Sequence, residues 1–113
     1  MIHKVAPAHR VSIFIAGDWL RAEQICRAYC DEIGLCVTVT PTHYIYKDGQ
    51  EQGVVVGLIN YPRFPSEPSA IWDKAERLAM LLKVGLEQGS FTIQDSGRAE
   101  FFSWRPQDTG EPA

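Results

Sequence analysis

The fold of this 113-residue chain is decided by one stretch, LCVTVTPTHYIYKDGQEQGVVVGLINYPRFP, residues 35–65. Its two halves are rich in β-branched and aromatic residues, which favour strands, and Asp48-Gly49 lies between them, where a hairpin must reverse. Pro41 cannot donate to a strand ladder, so it predicts a bulge, an edge strand or a break. The stretch therefore predicts two antiparallel strands and a loop. The first strand runs from Leu35 to Val39 with an outer aromatic half at Thr42 to Lys47, the second runs from Val54 to Ile59, and a loop stiffened by prolines follows at Asn60 to Pro65.

The flanking residues extend this pair into the order β-α-β-β-α-β-β. Gly17-Asp18 is a helix-capping signal, and Gly34 is a helix-ending one. The predicted outer elements are strands at Val11 to Ala16, Phe91 to Gln94 and Ala99 to Trp104, and helices from Trp19 to Ile33 and from Pro68 to Gly85 or Gly89. This order predicts an α+β, ferredoxin-like fold with an additional C-terminal strand and two helices on one face of a mostly antiparallel sheet.

Length and composition predict one domain at residues 11–105, with a flexible N-terminal arm at 1–10 and a flexible C-terminal tail at 106–113. The chain is 45% hydrophobic and 22% charged, which is ordinary for a globular protein. Its net charge of −3 lacks the basic excess of proteins that bind phosphate backbones, which argues against nucleic acid as a partner. Because no apolar run approaches the roughly 20 residues of a membrane span, and the first ten residues lack a signal-peptide core, we predict a cytoplasmic protein without a membrane partner.

Three cysteines, Cys26, Cys30 and Cys36, raise the question of a metal site. An odd number of cysteines and the absence of a partner pair at zinc-ligand spacing favour free thiols in a reducing compartment. Cys26 and Cys30 also fall on the apolar stripe of the first predicted helix, where a thiol packs as a small hydrophobe. We therefore predict no metal and no cofactor.

The sheet face opposite the helices is predicted to be a mixture of apolar and small polar residues, with Phe14, Thr38 and Thr40 among them. Such a face is neither a core nor a fully solvated surface. Two ferredoxin-like units often stack such faces, so we predict a homodimer or higher oligomer with these three residues at the interface; a ligand groove on this face is the alternative.

The best recognition candidate is the loop at Tyr61, Arg63 and Phe64. A rigid loop that places an arginine between two aromatic rings suits stacking on a flat base and pairing with phosphate or carboxylate. His43 and Tyr44 are predicted to contribute to the same ligand site. The alternative is that the two rings close the core and Arg63 pairs with a local acid.

Three classes of function follow from these residues. The first is a non-enzymatic, self-associating binding protein that captures a small anionic or aromatic, nucleotide-like ligand. The second is a protein–protein inhibitor that uses the outer hairpin half, residues 42–53, or a spare sheet edge. The third is a small enzyme built on His43 and Asp18, although a helix cap explains Asp18 fully. The absence of a nucleophile–base pair favours the first.

The runs IFIAGDW, CRAYCDEIGLCVTVTPTHYIYKDG and GVVVGLINYPRFP resemble small accessory proteins of tailed bacteriophages that have no defined activity. The resemblance covers Ile13 to Pro65 and, more weakly, the chain to Trp104. It implies a phage protein that acts in the host cytoplasm by binding, either blocking a host protein or sequestering a signalling nucleotide as a counter-defence. It supplies no active-site residues.

Overall fold

The computed structural model describes residues 1–108 and contains two helices packed on one face of a five-stranded sheet. The elements in chain order are β1 (Arg10–Ala16), α1 (Trp19–Ile33), β2 (Thr38–Tyr46), β3 (Gly49–Ile59), α2 (Pro68–Gly85), β4 (Ser90–Gln94) and β5 (Ala99–Ser103). The strand order is β2-β3-β1-β4-β5, and every neighbouring pair is antiparallel. The predicted ferredoxin-like arrangement with an added edge strand is confirmed.

The chain ends differ in how they meet the domain. Residues 1–9 have no regular secondary structure, and Pro106–Asp108 form one turn of 3₁₀ helix. The remainder of the predicted tail, residues 109–113, lies outside the described residues. Within residues 1–108, no helix is long and apolar enough to cross a membrane.

Local signals set the helix ends. Asp18 is the N-cap of α1, and its Oδ2 accepts a hydrogen bond from the Arg21 backbone N–H at 3.0 Å. Gly34 ends the helix with φ +70°, a conformation that glycine adopts without a Cβ clash. In α2, Pro68 occupies the first turn, where its missing N–H costs no helical bond.

The core lies between the helices and one sheet face. Alternate residues of β1 and β3 point into it, and they are fully or almost fully buried: Val11, Ile13, Ile15, Val54, Val56 and Leu58. The apolar stripe of α2 covers them with Ile71, Ala75, Leu78, Ala79 and Leu82, and Leu86, directly after the helix, adds to it. Both sets agree with the periodicities of two and of three to four residues in the sequence.

In the central hairpin, β2 is shorter and β3 is longer than the sequence predicts. β2 begins at Thr38, because Leu35 and Val37 pack against the core as part of the connection from α1. β3 begins at Gly49, directly after a turn in which Asp48 has φ +64°. Pro41 stays within β2, which is an edge strand and therefore tolerates a residue without an N–H.

Within residues 1–108, no helix or strand covers the sheet face away from the helices, and we call it the open face. The strand registers place one row of side chains across it: Thr40 opposite Val55, Val55 opposite Phe14, Phe14 opposite Thr92, and Thr92 opposite Phe101. Thr38 lies beside this row, opposite Gly57. The three residues predicted for an interface therefore do share one face.

Candidate functional site

A groove of about 530 Å³ crosses the open face where β1 ends and β4 begins. Tyr46 and Glu51 stand on one side of it, and Phe101 and Arg105 on the other. Its lining also includes Phe14, Ala16, Tyr44, Gln88, Ser90, Phe91 and Thr92. We call it the Tyr46 groove. Aromatic rings around one carboxylate and one guanidinium form a site suited to a flat, charged small molecule.

Tyr44 is built into the sheet beneath this groove. Its hydroxyl donates to the Val54 carbonyl oxygen at 2.5 Å and accepts from the Ile15 N–H at 3.1 Å. Ile15 and Val54 face each other across β1 and β3, so the hydroxyl lies between two facing backbone groups. Burial raises the pKa of Tyr44, which keeps the phenol neutral.

Glu51 is the acid of the groove, and Tyr46 holds it. The Tyr46 hydroxyl donates to Glu51 Oε1 at 2.9 Å. This hydrogen bond to a carboxylate raises the pKa of Tyr46, with a smaller opposing effect from the positive charge of Arg105. Arg105 itself contacts Asp108, with Nε and Oδ2 3.2 Å apart. The groove therefore presents a fixed negative charge facing a partly neutralised positive one.

The predicted ligand loop lies at the other end of the sheet. The rings of Tyr61 and Phe64 pack together with centroids 5.8 Å apart, and Arg63 is exposed without an ion pair in the described part of the chain. Tyr44 pairs with Glu51 in the hairpin register, and the loop begins after Ile59, at the end of β3. Glu51 and Ile59 are eight residues apart along the strand, so Tyr44 lies roughly 25 Å from the start of the loop. The structure thus separates the loop from Tyr44, and ligand binding by the loop stays a prediction.

His43 and Asp18, the two residues of the predicted enzyme, lie outside the Tyr46 groove. His43 is exposed and adjoins Tyr44 in β2, so the two side chains point to opposite sheet faces. The Asp18 carboxylate is engaged as the α1 cap. Neither residue lines the Tyr46 groove.

The cysteines are free thiols in different environments. Cys26 is buried, and burial raises its pKa to about 12. Cys36 is exposed, and its Sγ donates to the Tyr61 hydroxyl at 3.3 Å. Among residues 1–108, no group of three His, Cys, Asp or Glu side chains is placed to hold a metal ion.

Sequence reasoning missed three residues of the groove, namely Glu51, Phe101 and Arg105. A signal for Glu51 was present, because a turn at Asp48 in a two-residue hairpin places residue 51 opposite residue 44. Phe101 and Arg105 come from the end of the chain. Their position follows only once β4 is known to pair with β1 and β5 with β4.

Two solved structures of a phage SAM lyase share this fold. One, in complex with S-methyl-5′-thioadenosine, is 13% identical in sequence with a TM-score of 0.65, and the alignment covers 93% of this chain and 98% of that one. The other, in the apo state, is 13% identical with a TM-score of 0.64, over 91% and 95% of the two chains. No protein-family model and no curated protein sequence matches the chain.

This similarity corrects one sequence-based prediction. We expected a protein that is not an enzyme, because no nucleophile–base pair stands out in the sequence. The solved neighbours that share the fold are a lyase, and one of them holds a nucleoside ligand. The missing pair was therefore a poor criterion, since a lyase need not use a nucleophilic side chain. The phage resemblance agrees with the source of these neighbours.

Proposed function

We propose that this chain is a lyase that cleaves S-adenosylmethionine (SAM) in the Tyr46 groove and releases S-methyl-5′-thioadenosine. The observation that carries the proposal is the position of Glu51 among aromatic rings on the open face, in a chain that shares its fold with a SAM lyase. The groove supplies what SAM requires: flat apolar walls for adenine and a carboxylate for the sulfonium cation.

The bond that breaks joins the sulfonium sulfur to Cγ of the amino-acid chain. The substrate's own carboxylate oxygen attacks Cγ and forms a C–O bond, which closes a five-membered lactone on the amino-acid fragment. In the same step sulfur takes the electron pair of the S–Cγ bond and loses its positive charge, which leaves the neutral thioether of S-methyl-5′-thioadenosine. Because the sulfonium is a good leaving group, the protein's task is mainly to bind and orient the substrate. Phe14, Tyr46 and Phe101 provide rings for the adenine, and Arg105 provides a cation for the substrate carboxylate.

Glu51 is assigned the contact with the sulfonium end. Tyr46 fixes one oxygen of this carboxylate at 2.9 Å, which limits its rotation. Because Glu51 is exposed, solvent screens its attraction to a cation, and the carboxylate serves mainly to orient the sulfonium. Tyr46 is therefore a positioning residue for Glu51.

The test is to incubate the purified protein with SAM and to quantify S-methyl-5′-thioadenosine by liquid chromatography and mass spectrometry. We expect release by the native protein and a loss on the order of a hundredfold in Glu51→Gln, which keeps a hydrogen-bond acceptor for Tyr46 but removes the charge. Glu32→Gln, at an exposed position on α1 and away from the groove, is the matched control and should retain full activity. No release by the native protein, or equal release by Glu51→Gln, would contradict the proposal.

A further inference from the structure

A second, larger groove of about 790 Å³ lies on the same open face, toward the start of β1. It is formed by the segment before β1, the loop after β3 and the turn after β4, and only Phe14 also lines the Tyr46 groove. Its lining is Ala6, Ala8, His9, Arg10, Ser12, Phe14, Ile59, Asn60, Pro62, Gln94, Asp95 and Ser96. We call it the Arg10 groove. The proposed lyase activity makes no use of it.

The walls of the Arg10 groove are tied together by hydrogen bonds. Asn60 makes three hydrogen bonds: its backbone N–H donates to His9 O at 3.0 Å, its Nδ2 donates to Pro7 O at 2.8 Å, and its Oδ1 accepts from Ser66 N at 2.8 Å. This arrangement holds the segment before β1 against the loop after β3. These hydrogen bonds fix the shape of the groove, which lowers the entropic cost of binding.

The groove contains opposite charges that are not paired with each other. Arg10 is exposed and forms no ion pair within residues 1–108. Asp95 has one satisfied oxygen, Oδ1, which accepts from the backbone N–H groups of Gly97 at 2.8 Å and Arg98 at 2.9 Å. Its other oxygen, Oδ2, accepts no hydrogen bond in the described chain and lies 3.8 Å from His9 Nε2, which is too long for one.

Two further observations indicate an incomplete polar site. His9 Nε2 is buried and has no hydrogen-bond partner in the described residues, a situation that native proteins generally avoid. The backbone N–H groups of Gly97 and Arg98 lower the pKa of Asp95, so its carboxylate is charged at neutral pH. An unpaired cation and a half-satisfied carboxylate that line the same groove are complementary to a molecule that carries both charges.

We propose that the Arg10 groove is a second ligand site, which binds an α-amino acid with an uncharged side chain. The carboxylate of the ligand pairs with Arg10, its ammonium group donates to Asp95 Oδ2, and its side chain packs on Phe14 and Ile59. Both charged groups of the ligand then form charge-assisted hydrogen bonds, which are the strong ones. The groups recognised are the α-carboxylate and the α-ammonium group, which are the same in a free amino acid and in an amino acid that forms one end of a larger molecule.

The test uses L-methionine as the probe and amide chemical shifts of the full chain as the readout. We expect saturable shifts at Ser12, Asn60 and Ser96, the groove lining. Arg10→Gln and Asp95→Asn should each weaken binding by about tenfold or more, because each removes a charge-assisted hydrogen bond. Asp95→Asn keeps Oδ1 as an acceptor for the turn, so the fold should survive. Arg27→Gln, at an exposed arginine on α1 that does not line the groove, is the matched control.

Two analogues and one competitor complete the test. 3-(Methylthio)propylamine lacks the carboxylate and 3-(methylthio)propionate lacks the ammonium group, and both should bind about tenfold or more weakly. Saturating S-methyl-5′-thioadenosine should leave methionine binding unchanged, which supports a site separate from the Tyr46 groove and independent of SAM cleavage. Three results would overturn the proposal: no saturable shifts, equal binding by Arg10→Gln, or displacement of methionine by S-methyl-5′-thioadenosine.

Discussion

The ring of Tyr44 lies directly on the backbone of Gly53, where a Cβ would overlap both the ring and the carbonyl oxygen of Ile15. This contact lets the Tyr44 hydroxyl reach between Ile15 and Val54 in the two central strands. A glycine in the middle of a strand usually weakens it, yet here its missing side chain makes room for a neighbouring ring. The floor of the Tyr46 groove therefore depends on Gly53.

Gly53→Ala is expected to lower the free energy of unfolding by about 1–3 kcal/mol, the usual cost of forcing extra atoms into a packed site. Urea denaturation followed by circular dichroism measures this change. Gly97→Ala is the control, because a Cβ there meets only Asp95 Oδ1, at 3.6 Å, and its effect should stay within about 0.5 kcal/mol. Equal stability of Gly53→Ala and the native protein would show that Tyr44 does not occupy this position.

The fold can be predicted from the sequence because its helices and strands have local signals of their own. Asp18 and Gly34 mark the ends of α1, and Asp48-Gly49 marks the turn that joins β2 to β3. The site has no such local signal, since Glu51 and Phe101 are brought to one groove by the sheet order. The proline-stiffened loop was a strong local signal, but the topology places it at the opposite end of the sheet from Tyr44.

The hydrogen bond from Tyr46 to Glu51 makes a prediction about titration. The carboxylate stabilises the protonated phenol and so raises the pKa of Tyr46. Glu51→Gln removes that charge, and the pKa of Tyr46 should therefore fall toward the ordinary tyrosine value. Titration of the tyrosine ring resonances by NMR measures the change. Tyr61 serves as an internal control, because its pKa is raised chiefly by a hydrogen bond with Cys36 and should not move.

The cysteines should react in an order set by their burial. Thiolates are the reactive species, so Cys26, buried with a pKa of about 12, should resist iodoacetamide in the folded protein. Cys36 is exposed and should be modified first. Peptide mass mapping over time gives the order, and unfolding in urea should expose Cys26. The Cys36→Ser variant removes the exposed thiol, so that modification of Cys26 can be followed without it. Rapid modification of Cys26 in the native fold would show that the Cys26 thiol lies at the surface.

The lowered pKa of Asp95 predicts how the free energy of unfolding changes in acid. The backbone N–H groups of Gly97 and Arg98 lower its pKa below the ordinary value of 3.8, with smaller contributions from the charges of Arg98 and His9. A lowered pKa stabilises the fold above the unfolded-state pKa, and this contribution is lost as the pH falls through the folded-state value. Asp95→Asn should therefore destabilise the protein at neutral pH, and the difference should shrink below the unfolded-state pKa. Asp73→Asn on α2 is the control; a difference independent of pH would argue against the ionised turn.

Self-association through the open face, predicted from Phe14, Thr38 and Thr40, competes with ligand binding for the same surface, because Phe14 also lines both grooves. Thr40 is exposed, so Thr40→Glu should fold normally as a single chain. In a dimer that stacks two open faces, this substitution buries an unpaired carboxylate and should raise the dissociation constant by at least about tenfold. Sedimentation equilibrium of native protein, Thr40→Glu and the α1 surface control Gln24→Glu measures it. A native protein that stays monomeric across micromolar concentrations, or a Thr40→Glu dimer as tight as the native one, would place the interface elsewhere.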